Sequence, residues 1–295
     1  MMHKAGFVNI IGSPNVGKST LMNKLVGENL SIITSKAQTT RHRIMGIVNA
    51  EDFQIVYSDT PGVLDPKYKL QEGMMKFVLN ALQDADVLLV VTDIFEDNFN
   101  YEPLIEKIQN LTIPVFVLIN KIDLGDQEKA EERLDHWKKQ LPKAKIAPIA
   151  ALHGFNTDML LDAIVQELPA NPPYFPKDEL TNKPMRFFVA EIIREKILLH
   201  YKQEIPYSCE VIVEEYKDEG NIIRIRSVIL VSRESQKGIV IGHQGKMLKR
   251  VGTEARKDIQ SFVGSKVFLE LFVKVDKNWR NDEKKLKRYG YMDGT

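Results

Sequence analysis

The segment Gly12-Ser13-Pro14-Asn15-Val16-Gly17-Lys18-Ser19 restricts the fold of this chain more than any other. It fits the pattern GxxxxGK[ST], and its flanks are those the pattern requires. Phe7-Val8-Asn9-Ile10-Ile11 precedes it and reads as a buried parallel strand, and Thr20-Leu21-Met22-Asn23-Lys24-Leu25-Val26 follows with apolar residues at helical spacing. Strand, glycine-rich turn and helix start together gather backbone N–H groups at the positive end of a helix, a cradle for a polyphosphate. In such a cradle Lys18 reaches the outer phosphates and the Ser19 hydroxyl ligates Mg²⁺.

At 295 residues the chain exceeds one ordinary core, and two domains are expected. A single cysteine, Cys209, excludes an internal disulfide and suits a reducing cytoplasm. The longest apolar runs, such as Val87-Leu88-Leu89-Val90-Val91, are strand-sized, and no signal-peptide segment is expected at the start. The net charge of +1 conceals an asymmetry: residues 1–170 sum to −5 and residues 171–295 to +6. A basic second half points to a polyanion partner.

From Gly6 to about Leu168 strands (6–11, 43–49, 53–58, 86–92, 113–119, 145–150) alternate with helices (18–27, 70–83, 101–110, 126–140, 156–168). That order predicts an α/β domain with a mainly parallel sheet covered on both faces. Only Ala50-Glu51-Asp52 separates the second strand from the third, so one strand runs antiparallel. Four prolines between Pro169 and Pro176 predict a stiff linker. The expected domains are therefore 1–170, a linker at 171–183, and 184–295. Beyond the linker a helix (184–202), two strands (208–216, 221–231), helices flanking Gly242 to Gly245 and a strand (266–275) give an α-β-β-α-α-β domain.

Three further segments follow apolar strands, where ligands bind in open α/β sheets. Asp59-Thr60-Pro61-Gly62 offers a carboxylate that can hold Mg²⁺ through a water, and a glycine N–H for a γ-phosphate. Asn120-Lys121-Ile122-Asp123 offers a carboxylate matching the N1–H and 2-amino group of guanine; Lys121 would cover the base and Asn120 brace the phosphate loop. Adenine lacks that edge and would leave the acid unpaired. Ala150-Ala151-Leu152 could present the Ala151 N–H to guanine O6. The position after Gly62 is Val63, which cannot orient an attacking water, so slow unassisted hydrolysis is expected.

Gly12 to Ser19 with Pro14-Asn15-Val16, the run Lys36-Ala37-Gln38-Thr39-Thr40-Arg41-His42-Arg43, Asp59 to Gly62 and Asn120 to Asp123 resemble the bacterial Era-type GTPases. The resemblance implies a GTP/GDP site formed by residues 12–20, Asp59 to Val63, Asn120 to Asp123 and Ala150-Ala151, with Thr20 included. It implies Mg²⁺ held by Ser19, Asp59 and Thr40, the last taken over Thr39 because it precedes Arg41. Asn15 is similar to an asparagine that helps hold K⁺ in some relatives; a plain turn residue is the other reading. The family usually has Ser-Ala before the last loop, and here position 150 is alanine.

In the second domain Gly242-His243-Gln244-Gly245 forms a GxxG loop of the kind that clamps single-stranded nucleic acid in KH domains. In the following helix Lys246, Lys249, Arg250, Arg256 and Lys257 fall on one face, within about 120° at helical spacing. Met247, Leu248, Val251, Ala255, Ile259 and Phe262 oppose them. With Ile241 these residues are the expected RNA surface, His243 and Gln244 reading either as contacts or as simple exposed positions. The α-β-β-α-α-β order is the type II KH arrangement, and the tail with Trp279, Asp282-Glu283 and Gly290-Tyr291 resembles the Era C-terminus.

The resemblance implies a monomeric GTP-hydrolysing switch binding the 3′ end of 16S rRNA and assisting assembly of the 30S ribosomal subunit. GTP and GDP would order or release residues 31–43 and 59–75 and so alter domain docking. A second reading is an RNA-binding assembly chaperone with GTP as a structural ligand. A third is a GTPase associated peripherally with the inner face of the cell membrane.

Overall fold

The computed structural model describes residues 2–97, 99, 101 and 103–292. Two compact units divide between Asn182 and Lys183, with the short stretch Tyr68–Leu70 grouped with the second. In the first, β1 (Lys4–Gly12), α1 (Lys18–Val26), β2 (Ile44–Asn49), β3 (Phe53–Asp59), α2 (Lys69–Gln83), β4 (Val87–Asp93), α3 (Pro103–Gln109), β5 (Val115–Asn120), α4 (Gln127–Gln140), β6 (Lys145–Pro148) and α5 (Thr157–Glu167) follow in sequence. These are the predicted elements, shifted by a residue or two at their ends; of the helix expected at 101–110, Glu102 lies outside the described residues.

The six strands form one sheet in the order β2-β3-β1-β4-β5-β6, and β2 alone of them is antiparallel to its neighbour. This topology follows from burial. Every side chain from Val87 to Val91 is completely inaccessible, so helices must cover both faces of β4. Val78 of α2, Leu104 and Ile108 of α3 and Trp137 of α4 pack with Leu88, Val90, Val117 and Ile119 into one apolar core. The carboxyl ends of β1, β3 and β5 release the loops beginning at Gly12, Asp59 and Asn120 along one edge of this core.

The proline-rich segment does not leave the first unit at residue 170. Ala170 bridges to Lys4, and the completely buried Gln54 binds Tyr174 and Phe175. Its Oε1 accepts from both backbone N–H groups (2.7 and 3.0 Å), while its Nε2 donates to Phe175 O (2.8 Å) and Asn49 Oδ1 (2.7 Å). Farther on, Ile47 N–H donates to Leu180 O (2.8 Å) and the Thr181 hydroxyl to Met45 O (2.6 Å). The strap thus meets the outer main-chain groups of β2, an edge strand that would otherwise invite pairing with another chain. Prolines prevent a helix or a ladder here, but they leave carbonyls that accept hydrogen bonds. A glutamine inside a strand carries no sign of a partner more than a hundred residues away.

The second unit holds α6 (Met185–His200), α7 (Ile205–Ser208), β7 (Glu210–Asp218), β8 (Ile223–Val231), α8 (Glu234–Ile241), α9 (Lys246–Val263), β9 (Val267–Val275) and α10 (Glu283–Arg288). The α-β-β-α-α-β order is as expected, with the short α7 and α10 added. Its sheet runs β7-β8-β9, antiparallel then parallel. Val189, Ile193 and Ile197 of α6 and Val251, Ala255 and Ile259 of α9 are buried in one core with the sheet. Phe262, expected on that buried face, is 37% exposed in the last turn of α9, where its ring meets Phe188 at 5.3 Å. The lone Cys209 is fully buried.

Gln54→Ala strips the strap of three hydrogen bonds and is expected to cost about 2–4 kcal/mol in the first unit. Limited proteolysis should then cut within 171–182 faster than in the parent chain; unchanged cleavage would show the strap is held by other means.

Candidate functional site

Gly12 through Ser19 wraps the end of β1 and enters α1 at Lys18. Gly17 stands at φ 98°, and a β-carbon there would lie 2.2 Å from Asn120 Nδ2, so both backbone and space demand glycine. Lys18 is 6% exposed, and its Nζ donates to Gly12 O (3.0 Å) and Ser13 O (2.8 Å). Burial lowers its pKa to about 8, against the opposing pull of the Asp59 and Glu96 charges.

Three oxygens from three segments meet beside it. Ser19 Oγ donates to Asp59 Oδ2 (2.7 Å) and lies 2.9 Å from Thr40 Oγ1, which itself reaches Asp59 Oδ2 at 3.2 Å. Asp59 is completely buried, and its Oδ1 has no hydrogen-bond partner. Burial pushes its carboxyl up, opposed by the nearby Lys18 charge and by the Ser19 hydroxyl. Two hydroxyls and the Asp59 carboxylate form an all-oxygen donor set, which suits a hard cation such as Mg²⁺. Cis ligands of an octahedral Mg²⁺ stand roughly 2.9 Å apart, close to the separations these oxygens already have. The Thr39 hydroxyl is engaged within its own loop: it donates to Lys36 O (2.6 Å) and pairs with Thr34 Oγ1 (2.6 Å).

The base-side loops are joined by Asn120. Its Nδ2 donates to Val16 O (2.8 Å) in the phosphate loop, and its Oδ1 accepts the Ala151 N–H (2.9 Å). The Ala151 N–H, expected to face guanine O6, is therefore engaged in bracing the loops. Lys121 bonds Asn15 O and Asp93 Oδ2, both at 2.7 Å. Asp123 lines the cavity, with His153 Nε2 3.5 Å from its carboxylate.

These loops bound a cavity of about 650 Å³, the size of a nucleotide site. Pro14, Asn15, Gly17, Lys18, Ser19, Thr20, Thr40, Gly62, Asn120, Lys121, Asp123 and Ala151 line it. Gly12, Ser13, Val16, Asp59, Thr60, Pro61, Ile122 and Ala150 stand behind that wall; the Thr60 hydroxyl, for example, donates to Ile10 O (2.7 Å). Val63 is corrected more strongly. Its side chain is completely buried in the apolar core and its N–H donates to Gly12 O (3.0 Å), so it presents no side chain to a ligand. Ile32, Ile33, Leu152 and His153 line the cavity without having been foreseen. Apolar loop residues carry no motif, although Leu152 directly follows the predicted Ala150-Ala151.

In the second unit Gly242 closes α8 at φ 71°, ψ 174°, a region open essentially to glycine, and a β-carbon there would meet Met247 Cγ at 2.7 Å. His243 and Gln244 are exposed between it and Gly245. Lys246, Lys249, Arg250, Arg256 and Lys257 are all exposed on α9. The two acids at the margin of this face are drawn towards α6. Asp258 pairs with Lys196, and Glu254 with His200 (2.6 Å) as well as with Arg250 (3.1 Å). Hydrogen bonds from His200 and Arg250 hold the Glu254 carboxyl below its ordinary range. Among the described residues no cluster of His, Cys, Asp and Glu could hold a metal, and no helix is long and apolar enough to cross a membrane.

A phosphate loop, a guanine-type carboxylate loop and a GxxG turn before a basic helix define a P-loop GTPase unit followed by a KH unit. The family described as "50S ribosome-binding GTPase" matches residues 7–121, and that described as "KH domain" matches residues 204–280. The chain is 43% identical over 293 residues to GTPase Era of Staphylococcus haemolyticus, covering 99% of this chain and 98% of that protein. It superposes with a TM-score of 0.94 on a variant of Aquifex aeolicus Era bound to GDP·AlF4⁻, at 39% identity over 98% of this chain and 100% of that one. The same score and identity hold for Era in complex with MgGDPNP and nucleotides 1506–1542 of 16S ribosomal RNA, over 99% of this chain and 100% of that one. This chain belongs to the Era family of GTPases.

Thr40→Ala should raise the Mg²⁺ concentration for half-maximal triphosphate binding about tenfold, a loss near 1.4 kcal/mol. Thr39→Ala, which loosens only the loop contacts, should raise it less; equal effects in the two titrations would reject Thr40 as the ligand.

Proposed function

We propose that this protein is a GTP-hydrolysing switch whose KH unit binds 16S rRNA near its 3′ end and assists assembly of the 30S subunit. The observation that carries the reading is the convergence of the buried Asp59 on Ser19 and Thr40, which line the same cavity as Asp123. Solved Era complexes with MgGDPNP and 16S rRNA nucleotides, and with GDP·AlF4⁻, support it.

In this reading the backbone of residues 12–20 cradles the phosphates and Lys18 turns from Gly12 O and Ser13 O towards them. Ser19, Thr40 and Asp59 hold Mg²⁺. The bound ion supplies positive charge against the β- and γ-phosphate oxygens. Asp123 accepts from the guanine edge, and the Lys121 stem covers the base. Thr40 joins the site in the triphosphate state, so loss of the γ-phosphate releases the loop that carries it. Val63, committed to the core, orients no water, and unassisted turnover is slow.

Asn15 adds a role for K⁺. Its side-chain amide stands 3.1 Å from Ser35 O, and turned over it would place two oxygens side by side for a monovalent cation. Faster turnover in K⁺ than in Na⁺ is the corresponding readout.

The exposed cationic face of α9 takes phosphates, while the GxxG backbone admits a strand of RNA too close for side chains. A cytoplasmic location follows from a ribosomal partner, with the basic unit also suited to an anionic membrane surface. The protein works as a monomer in this reading, with the GTPase domain of residues 1–170 extended by its strap to 182, and 184–295 as the RNA-binding domain.

Asp123→Asn should weaken GTP binding roughly 10- to 100-fold by removing a charge-assisted pair, and admit xanthosine triphosphate in exchange. Unchanged base preference in calorimetry would displace the base pocket. Lys249→Glu with Lys257→Glu should weaken a 16S 3′-end oligonucleotide and lower the slope of log affinity against log salt by about 2, leaving GTP affinity intact. An unaltered slope would remove α9 from the RNA surface.

A further inference from the structure

Arg43 closes the 31–43 segment but has no role among the ligand-binding residues above, yet its side chain touches positions adjacent to several of those loops. It is the last residue before β2 and lies three positions after Thr40. Its side chain is 10% exposed. Nε donates to Ser58 Oγ (2.5 Å), Nη2 to Asn9 Oδ1 (3.0 Å), and Nη1 and Nη2 to the two oxygens of Asp84 (2.5 and 2.9 Å). Asn9 and Ser58 are completely buried and are register partners on β1 and β3. One guanidinium therefore reaches from β2 past β3 and β1 to Asp84, the residue that follows α2. The network closes on itself, because Asn9 Nδ2 donates to Asp84 Oδ1 and to Ala81 O, both at 2.7 Å.

The placement of these partners gives the network its meaning. Ser58 directly precedes Asp59, Asn9 stands three residues before Gly12, and Asp84 ends the helix that follows the Asp59–Gly62 loop. An ordinary surface ion pair would need no such arrangement and would hold little. Here a planar fork is used on three acceptors at once, a geometry lysine cannot reproduce.

We propose that Arg43 is a positioning residue for the triphosphate state, fixing the downstream end of the 31–42 loop so that Thr40 Oγ1 stands beside Ser19 and Asp59. The inference rests on Thr40 serving as a ligand in that state, as set out under the proposed function. GDP lacks the γ-phosphate and does not call on Thr40. Arg43 thus contributes to the preference for triphosphate over diphosphate, whereas a merely structural arginine would affect both nucleotides alike.

The test uses the full chain with R43A, R43K and D84N, measuring affinities for GDP and GDPNP at saturating Mg²⁺ together with single-turnover hydrolysis. R43A is expected to weaken GDPNP about tenfold while GDP changes less than about twofold. R43K should fall between, since an ammonium meets Asp84 but cannot also span Ser58 and Asn9. D84N should shift the ratio in the same direction by about threefold. Parallel losses for both nucleotides, or an unchanged ratio, overturn the proposal; if R43A does not fold, the ratios of R43K and D84N decide it alone. A parent chain that binds neither nucleotide overturns the nucleotide reading as well, whereas a parent that binds both beside variants with unaltered ratios sinks only the role of Arg43.

Discussion

One buried carboxamide, that of Asn120, holds the nucleotide site together. It joins the phosphate loop through Val16 O and the last loop through the Ala151 N–H, and it lies so close to Gly17 that no side chain fits between them. Both ends of the amide are used, one donating and one accepting, which no hydrophobic or purely acidic side chain could imitate. Loops are the most mobile parts of an α/β fold. Here three of them are cross-braced by a residue at the end of β5, inside the rigid sheet. The cavity in front of Asn120 is consequently shaped before any ligand enters, which lowers the ordering cost of binding.

The phosphate side is organised differently. Lys18 and Asp59 are both buried, and each is shifted towards its neutral form by that burial, Lys18 down to about 8 and Asp59 upward. Two buried, opposite charges partly compensate one another, but neither is fully satisfied by protein groups alone. The orphaned Asp59 oxygen expresses this directly. A polyphosphate and a divalent cation would together supply the charges both side chains are missing, so tight binding follows from the poor solvation of the residues that await it.

Much of this was legible in the sequence because periodicity and motif agreed. Apolar runs placed the strands, the Ala50-Glu51-Asp52 turn forced β2 antiparallel, and Gly12 to Ser19 marked the site. What remained hidden depends on side chains acting across the sheet. Asn120 was read as a brace for one loop, whereas it also takes up the Ala151 N–H that was assigned to the base. Val63 was placed among the nucleotide residues by its neighbours, and its apolar character, which committed it to the core, was the contrary signal. Gln54 belongs to no motif, and Arg43 stood at the end of a recognised run without a role being assigned to it. Their partners lie up to 121 and 41 residues away and become visible only when strands are paired. The α9 face was legible because a helix writes its surface into local spacing, and only Phe262, at the helix end, escaped that rule.

The strap along β2 has a consequence for the way the chain is made. Met45 leaves the ribosome 136 residues before its partner Thr181. At roughly 5–20 residues per second, the outer edge of the nascent sheet stays uncovered for about 7–27 seconds. During that interval the growing polypeptide carries an open β-strand margin, the state most exposed to mispairing with neighbouring nascent chains. Completion of the nucleotide unit is therefore timed by a segment beyond its last helix, and a gene cut at the apparent end of α5 would leave that margin permanently bare.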